Sequence, residues 1–420
     1  MRVGAKISPL FKVALMLLVP AGLAITLGGC PGVDPINNPA FDRKVVEATG
    51  PAGPLGPVAV VPADVNGDGK PDLVSAWRTS GQVRLHLQGR TDGAITWQSL
   101  AIASGSIAAG VQALASGDIN GDGRDDIVAA TSQGRILYIR QSGGDSADPA
   151  NWAVSVIGAS QGVGFDSWSD VQLADVDGDT RLEVLASLES QGGRICIFKP
   201  PLPLTSGNGW TRVDVATSGR DGASGVLAID MDGNGYTDVL TIARDEGVDS
   251  VAWYANPGAA LALIAPWVRH SVGSVQDPRA MALTYVDGDI FLDVVVASGD
   301  GRGLWGFQAP NNLTDLLDAN KRWNKYAIAS FGTDRGAGVC AAYFGRDAVT
   351  EIVASTTGAG RLSLYKWNPI IGVWAETVLD DTGGKYGRCL VTNLNLDSPP
   401  DLICTIDTPT GGQVVWYPGK

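Results

Sequence analysis

One fourteen-residue pattern recurs along the chain, and no other feature limits the fold as much. It is clearest as "ADVNGDGKPDLVSA" from Ala63, "GDINGDGRDDIVAA" from Gly117, "ADVDGDTRLEVLAS" from Ala174 and "IDMDGNGYTDVLTI" from Ile229. Weaker copies start at Thr284, Ala342 and Thr392. The first acidic-loop position thus falls at residues 64, 118, 175, 230, 285, 343 and 393, with spacings of 50 to 58 residues. A repeat of that length cannot bury its own hydrophobic face and must stack on its neighbours.

Other features keep the same period. An aromatic residue stands at Phe41, Trp97, Trp152, Trp210, Trp267, Trp323 and Trp374. Five residues on comes Val46, Ile102, Ile157, Val215, Val272, Ile328 or Leu379. A third segment follows each acidic loop, as in "GRILYIR" and "GQVVWYP". Each unit therefore holds four strands: A into the loop, B out of it, C, and a D strand led by the aromatic residue. Short β-rich runs split by Gly-rich turns describe an antiparallel meander. The chain is also rich in glycine, with 55 residues, and poor in charge, at 18%, which favours turns and short strands over helices. Only residues 311–322 read as helical.

The fold expected is all-β, a seven-bladed β-propeller of four-stranded antiparallel blades. Its ends carry a further expectation. The seventh unit stops after strand C, and its missing D strand stands at the N-terminus as "FDRKVVEA" (41–48). That strand would complete the last blade and close the ring, whereas an open solenoid would want polar caps. The unit resembles the FG-GAP/VCBS-type repeat of integrin α chains and many secreted bacterial proteins, over roughly residues 41–420. The resemblance implies the same seven-bladed propeller.

The acidic loops crowd carboxylates together. Two of them about 4 Å apart repel by about 4 kcal/mol at an effective dielectric near 20. A hard divalent cation would offset that. The D-x-[DN]-x-[DN]-G-x-x-D spacing offers side-chain oxygens at positions 1, 3, 5 and 9 and a carbonyl at 7, which suits Ca2+. Blade one would use Asp64, Asn66, Asp68, the Lys70 carbonyl and Asp72; blade two Asp118, Asn120, Asp122, the Arg124 carbonyl and Asp126. Blade three would use Asp175, Asp177, Asp179, the Arg181 carbonyl and Glu183, with Thr180 in place of glycine. Blade four would use Asp230, Asp232, Asn234, the Tyr236 carbonyl and Asp238. About four structural calcium sites are expected. An EF-hand is excluded, because position 12 is Ser75, Ala129, Ala186 or Thr241 rather than Glu. A metal-free Asx turn is the competing reading for any one loop. Blade five lacks its first ligand, with Tyr285 there; blades six and seven are expected to hold no metal.

Residues 1–29 read as an export signal: Arg2, Lys6 and Lys12, then an apolar run broken by Pro20 and Gly22. The run ends in "LGGC" (27–30), which resembles the lipobox of bacterial lipoproteins and implies a lipid on Cys30. An ordinary signal peptide with an incidental cysteine is the alternative. Residues 30–40 read as a tether and 41–420 as the propeller. The expected location is the bacterial cell envelope, at the outer membrane, the cell surface or the periplasm, with a monomer held to the membrane by that lipid. Loss of residues 1–29 lowers the formal charge from −13 to −16, so a nucleic-acid surface is not expected. Of the other cysteines, Cys389 and Cys404 flank one hairpin, and a disulfide and two free thiols both fit.

In a propeller of this topology the D–A and B–C loops share the face opposite the acidic loops. On that face the sequence places Trp77, Trp168, Arg220, Asp221, Arg244, Asp277, Arg279, Arg302, Arg335 and Arg388. Arg/Asp pairs near one axis could hold a polar ligand such as a sugar, with Trp77 or Trp168 to stack on it. Paired charges on a solvated rim are the plainer reading for any one of these residues. The two histidines, His86 and His270, fall in C and D strands away from the axis, so no Ser-His-Asp set can form there. The expectation is a non-enzymatic binding or adhesion module for a glycan or protein. A carbohydrate-active lyase or dehydratase at the channel mouth is the second reading.

Overall fold

A computed structural model describes residues 41–419, apart from 51–52, 54, 160–166, 190–192, 205–207, 217–221, 245–248, 259–261, 301–302, 345–348 and 359. Residues 1–40, with the export signal and Cys30, lie outside the described residues. Among the described residues no helix is long and apolar enough to cross a membrane.

The strands form seven four-stranded sheets, each antiparallel. Blade one is typical, with strand A at Pro57–Ala63, B at Asp72–Trp77, C at Gln82–Thr91 and D at Ala94–Ser104. Blade seven takes A, B and C from Lys385–Thr392, Asp401–Thr408 and Gly411–Tyr417, and its fourth strand from Lys44–Ala48. Lys44 pairs with Trp416 and Ala48 with Gln413. The ring is therefore closed by the N-terminal strand, as the permuted repeat requires. Glu47 on that strand reaches blade one, where Arg84 Nη2 donates to its Oε1 at 2.6 Å and Arg84 Nε to its Oε2 at 3.0 Å.

The core lies between blades. One apolar cluster joins Val74 and Leu85 of blade one to Leu114, Ile127 and Ile139 of blade two. Another joins Val46, Ile403 and Trp416 of blade seven to Val60, Leu73 and Trp77 of blade one. Every residue of the B strands Asp72–Trp77, Asp126–Thr131, Asp238–Ala243, Asp293–Ser298 and Glu351–Thr356 is buried. A neighbour covers both faces of each such strand, so its sequence runs apolar throughout instead of alternating. The D-strand tryptophans pack in these seams. Trp152 and Trp267 donate their indole N–H to Ser146 O at 3.0 Å and Ala262 O at 2.9 Å.

The helix expected over residues 311–322 is shorter than the sequence implies. Only Leu313–Leu316 is α-helical, capped by the Asn312 side chain, which accepts from Asp315 N at 2.9 Å. Leu316 is the one side chain it buries, too small an apolar stripe to hold a longer helix. Cys389 and Cys404 are register partners, as expected of that hairpin. Cys389 Sγ also lies 3.4 Å from Cys340 Sγ of blade six, and the four described cysteines are free thiols.

Candidate functional site

Each A strand starts at the central channel and ends at an acidic loop. The two ends of a seven-residue strand are about 20 Å apart, so the molecule offers two separate sites.

In the complete acidic loops the first carboxylate organises the turn. Asp64 Oδ2 accepts from Gly69 N at 2.8 Å, Asp118 Oδ2 from Gly123 N at 2.9 Å and Asp230 Oδ2 from Gly235 N at 2.8 Å. Those glycines have φ of 77°, 85° and 89°, a region that favours glycine. Blade three makes the same bond, Thr180 N to Asp175 Oδ2 at 2.9 Å, with Thr180 forced to φ 72°. The position-3 and position-5 oxygens accept further loop N–H groups, such as Asn66 Oδ1 from Asp68 N at 2.9 Å and Asp68 Oδ1 from Lys70 N at 2.9 Å.

The position-9 acid does something the sequence reading missed. It is buried in all seven blades, as Asp72, Asp126, Glu183, Asp238, Asp293, Glu351 and Asp401. It clasps the loop to the end of strand C. Asp238 accepts from Met231 N at 2.8 Å and Asn256 N at 2.7 Å. Asp293 accepts from Val286 N at 2.7 Å and Ala309 N at 2.8 Å, and Asp401 from Leu394 N at 2.7 Å and Gly419 N at 3.0 Å. Blades without a complete ligand set therefore keep this acid for backbone satisfaction. Its presence in every copy was a visible signal, but in four blades it had been given to the metal alone.

Burial pushes the carboxyls of Asp72, Asp126, Glu183 and Asp238 up to about 7, and repulsion from loop neighbours adds to this. Asp72 Oδ2 is buried with no hydrogen-bond partner. Carboxylate oxygens of Asp175, Asp177 and Glu183 lie within 4.8 Å of one another, as do those of Asp230, Asp232 and Asp238. These clusters fit a hard divalent cation, which would favour the ionised forms, and a cation in the blade-one loop would satisfy the orphaned Asp72 oxygen. Blade three also holds a cation of its own. Lys199 Nζ lies 2.7 Å from Asp179 Oδ2 and 3.4 Å from Glu183 Oε1, and it bonds Asp177 as well. Lys366 stands at the matching position of blade six, 3.2 Å from Glu351.

The second site is a cavity of about 330 Å3 at the opposite end of the A strands. The register of every A strand against its B strand shifts near this end, for example between Pro57 and Ala59, Val111 and Ala113, and Pro278 and Ala280. The residues inside these β-bulges, namely Val58, Gln112, Ser169, Ser224, Arg279, Ala337, Gly387 and Arg388, all line the cavity. A bulge re-aims a side chain; here it turns one position per blade, and two in blade seven, toward the axis. Nothing in the repeat pattern announces a bulge, so this set was not legible in the sequence. Gly387 must be small, since a Cβ there would meet Thr405 Oγ1 at 2.2 Å and Val58 O at 2.7 Å.

The structure places Arg244, Arg279, Arg335 and Arg388 around this cavity, joined by Arg78 and Lys385. Arg279 pairs with Asp277 at 2.8 Å, Arg244 with Glu189, and Arg388 with Asp170. Burial pulls the Arg244 guanidinium below its usual value; Glu189 opposes this, and Arg279 and Arg388 add repulsion. Trp77 and Trp168 are a correction. Both are fully buried at 0% exposure between blades, so neither offers a stacking face. Strand ends covered on both faces give no inward or outward signal, and a tryptophan there can turn into the seam. Arg220, Asp221 and Arg302 lie outside the described residues. His86 and His270 are packing residues; His86 bonds Ser75 Oγ at 2.7 Å and Ser99 Oγ at 2.8 Å, and His270 stacks on Trp253.

Residues 64–129 and 118–186 match the family model for the FG-GAP-like repeat. Residues 64–186 carry FG-GAP-like repeats. The FG-GAP-like matches include the acidic loops of blades one, two and three, while the equally complete loop of blade four lies beyond them. No curated protein matches this chain. Among solved structures, the crystal structure of the exotype rhamnogalacturonan lyase YesX is similar, with a TM-score of 0.48 and 14% identity. That likeness covers 91% of this chain and 75% of the other.

Proposed function

We propose that this FG-GAP-like propeller is a non-enzymatic binding module of the cell envelope. Calcium in its acidic loops stiffens it, and the mouth of its central channel captures a glycan or protein ligand. The observation that carries this reading is the bulge in each A strand, which turns residues from every blade into one shared cavity. Concave sites of about 300 Å3 or more, lined by a few convergent polar groups, are where ligands bind.

Binding is favoured over turnover by what lines the cavity. No histidine is among the described lining residues. The Tyr386 phenol is buried with its pKa pushed up, so it is a poor base. Asp407 is engaged by Gly56 N at 3.2 Å. Calcium is assigned to the loops of blades one, two and four. Lys199 competes with it in blade three. The "LGGC" motif supports export and a lipid on Cys30, which mass spectrometry of the N-terminal peptide would detect.

Glycan and protein arrays probed with and without chelator test the reading. Capture should be lost in Ala337→Phe, which fills the cavity from a half-buried position, and no product should form. Steady release of product from a captured glycan would replace this reading with the lyase or dehydratase one.

A further inference from the structure

We infer that the channel mouth takes an oxyanion ligand, one that carries at least two negative charges on carboxylate, sulfate or phosphate groups. This rests on the channel-mouth binding reading and names its ligand class.

Among the described residues, six cationic side chains from five blades line the cavity: Arg78, Arg244, Arg279, Arg335, Lys385 and Arg388. Asp407 is the one acid among the described lining residues. Three of the cations have a carboxylate partner already. Arg78, Arg335 and Lys385 make no ion pair among the described residues. In addition, Arg244 Nε and Arg279 Nε are buried without a hydrogen-bond partner. A buried guanidinium N–H left unmade costs more than a made one gains, so these donors call for an acceptor.

The charge is also placed against the trend of the molecule. The chain carries a formal −13, and its acidic loops stand at the far ends of the same strands. Like charges gathered in a cleft with low-dielectric walls focus the field and raise the local concentration of the opposite ion. A neutral sugar would accept hydrogen bonds here but leave the charge uncompensated and the cations repelling. Guanidinium forks match planar carboxylates and tetrahedral oxyanions bidentately. The cavity volume suits a small polyanion or the charged end of a larger one.

The test is isothermal titration of the protein with four probes: tricarballylate, inorganic phosphate, a disaccharide of hexuronic acid, and maltose. One or more of the three anions should bind, and maltose should not. Binding should weaken at least about tenfold in Arg78→Gln/Arg335→Gln, which removes charge-assisted bonds. It should weaken again between about 20 mM and about 200 mM salt, as screening requires. Which anion binds best separates a carboxylate source from a phosphate one. Arg78 and Arg335 have no ion pair to lose, so the double variant should keep the parent melting temperature. Capture of a neutral glycan that Ala337→Phe abolishes but the arginine variants leave intact overturns the oxyanion class and leaves the channel-mouth reading standing. Capture of anions unaffected by any of these variants overturns both, and so does a failure of every probe to bind.

Discussion

Arg388 of blade seven donates to Asp170 of blade three, and the pair spans the central channel between two non-adjacent blades. Asp170 also accepts from Val226 N of blade four at 3.2 Å. Its carboxylate is buried, so this one side chain ties three blades together beneath the cavity.

Arg388→Ala should therefore destabilise the ring. Breaking a fully buried pair costs about 3–5 kcal/mol, and partial exposure of Arg388 reduces that to about 1–3 kcal/mol. The check is denaturant unfolding of the variant beside Asp170→Asn/Arg388→Ala, in which no charge is left stranded and most of the loss should be recovered.

Removing residues 41–48 should open the ring. Blade seven would keep three strands and expose Gly411–Tyr417 as an edge, a template for association with other chains. Size-exclusion chromatography should show a shift from monomer to aggregates, with a lower melting temperature. A truncated protein that stays monomeric and melts like the parent would show that the N-terminal strand does not close the blade.

Thr180 holds a left-handed backbone in the third loop, a conformation that costs a β-branched residue about 1–2 kcal/mol. Thr180→Gly should relieve it. Glycine's extra unfolded-state entropy takes back about 0.5–1 kcal/mol, so a net gain of about 0.5–1 kcal/mol is expected in thermal or denaturant unfolding.

The seven-fold period made the architecture legible, down to the exchange of the D strand between the chain ends. Strand order followed because each unit carries its own turn signals. Legibility stopped where one residue type serves two purposes. The position-9 acid is both a clasp for backbone N–H groups and a candidate ligand, and spacing cannot separate the roles. Trp77 was misplaced because a B strand covered on both faces shows no alternation to say which way its last side chain turns. The bulges that build the cavity insert no recognisable residue, so only the register revealed them.

Acidification should separate the apo and calcium-loaded forms. In the folded protein Asp72, Asp126, Glu183 and Asp238 are pushed up to about 7 and Asp293 to about 6. A carboxyl raised above its unfolded value near 4 contributes stability below that value and loses it as pH rises through 7. His86 acts oppositely. Burial and Arg84 hold it down to about 3, with Glu47 facing it at 3.4 Å, so its contribution is lost below about 6.5. Five carboxyls outweigh one imidazole between pH 7 and 5.5. The chelated protein should melt higher at pH 5.5 than at pH 8, and the increment added by calcium should shrink as protons compete for the same oxygens.

Calcium content measured together with the melting temperature, before and after chelation, tests the central claim most directly. Three equivalents are expected, from blades one, two and four, with a fourth and weaker one if calcium displaces Lys199. Chelation should lower the melting temperature by at least about 5 °C, the scale set by loss of ligands that bind only the folded state. A protein that holds no alkaline-earth metal and melts at the same temperature with or without EDTA would contradict the account.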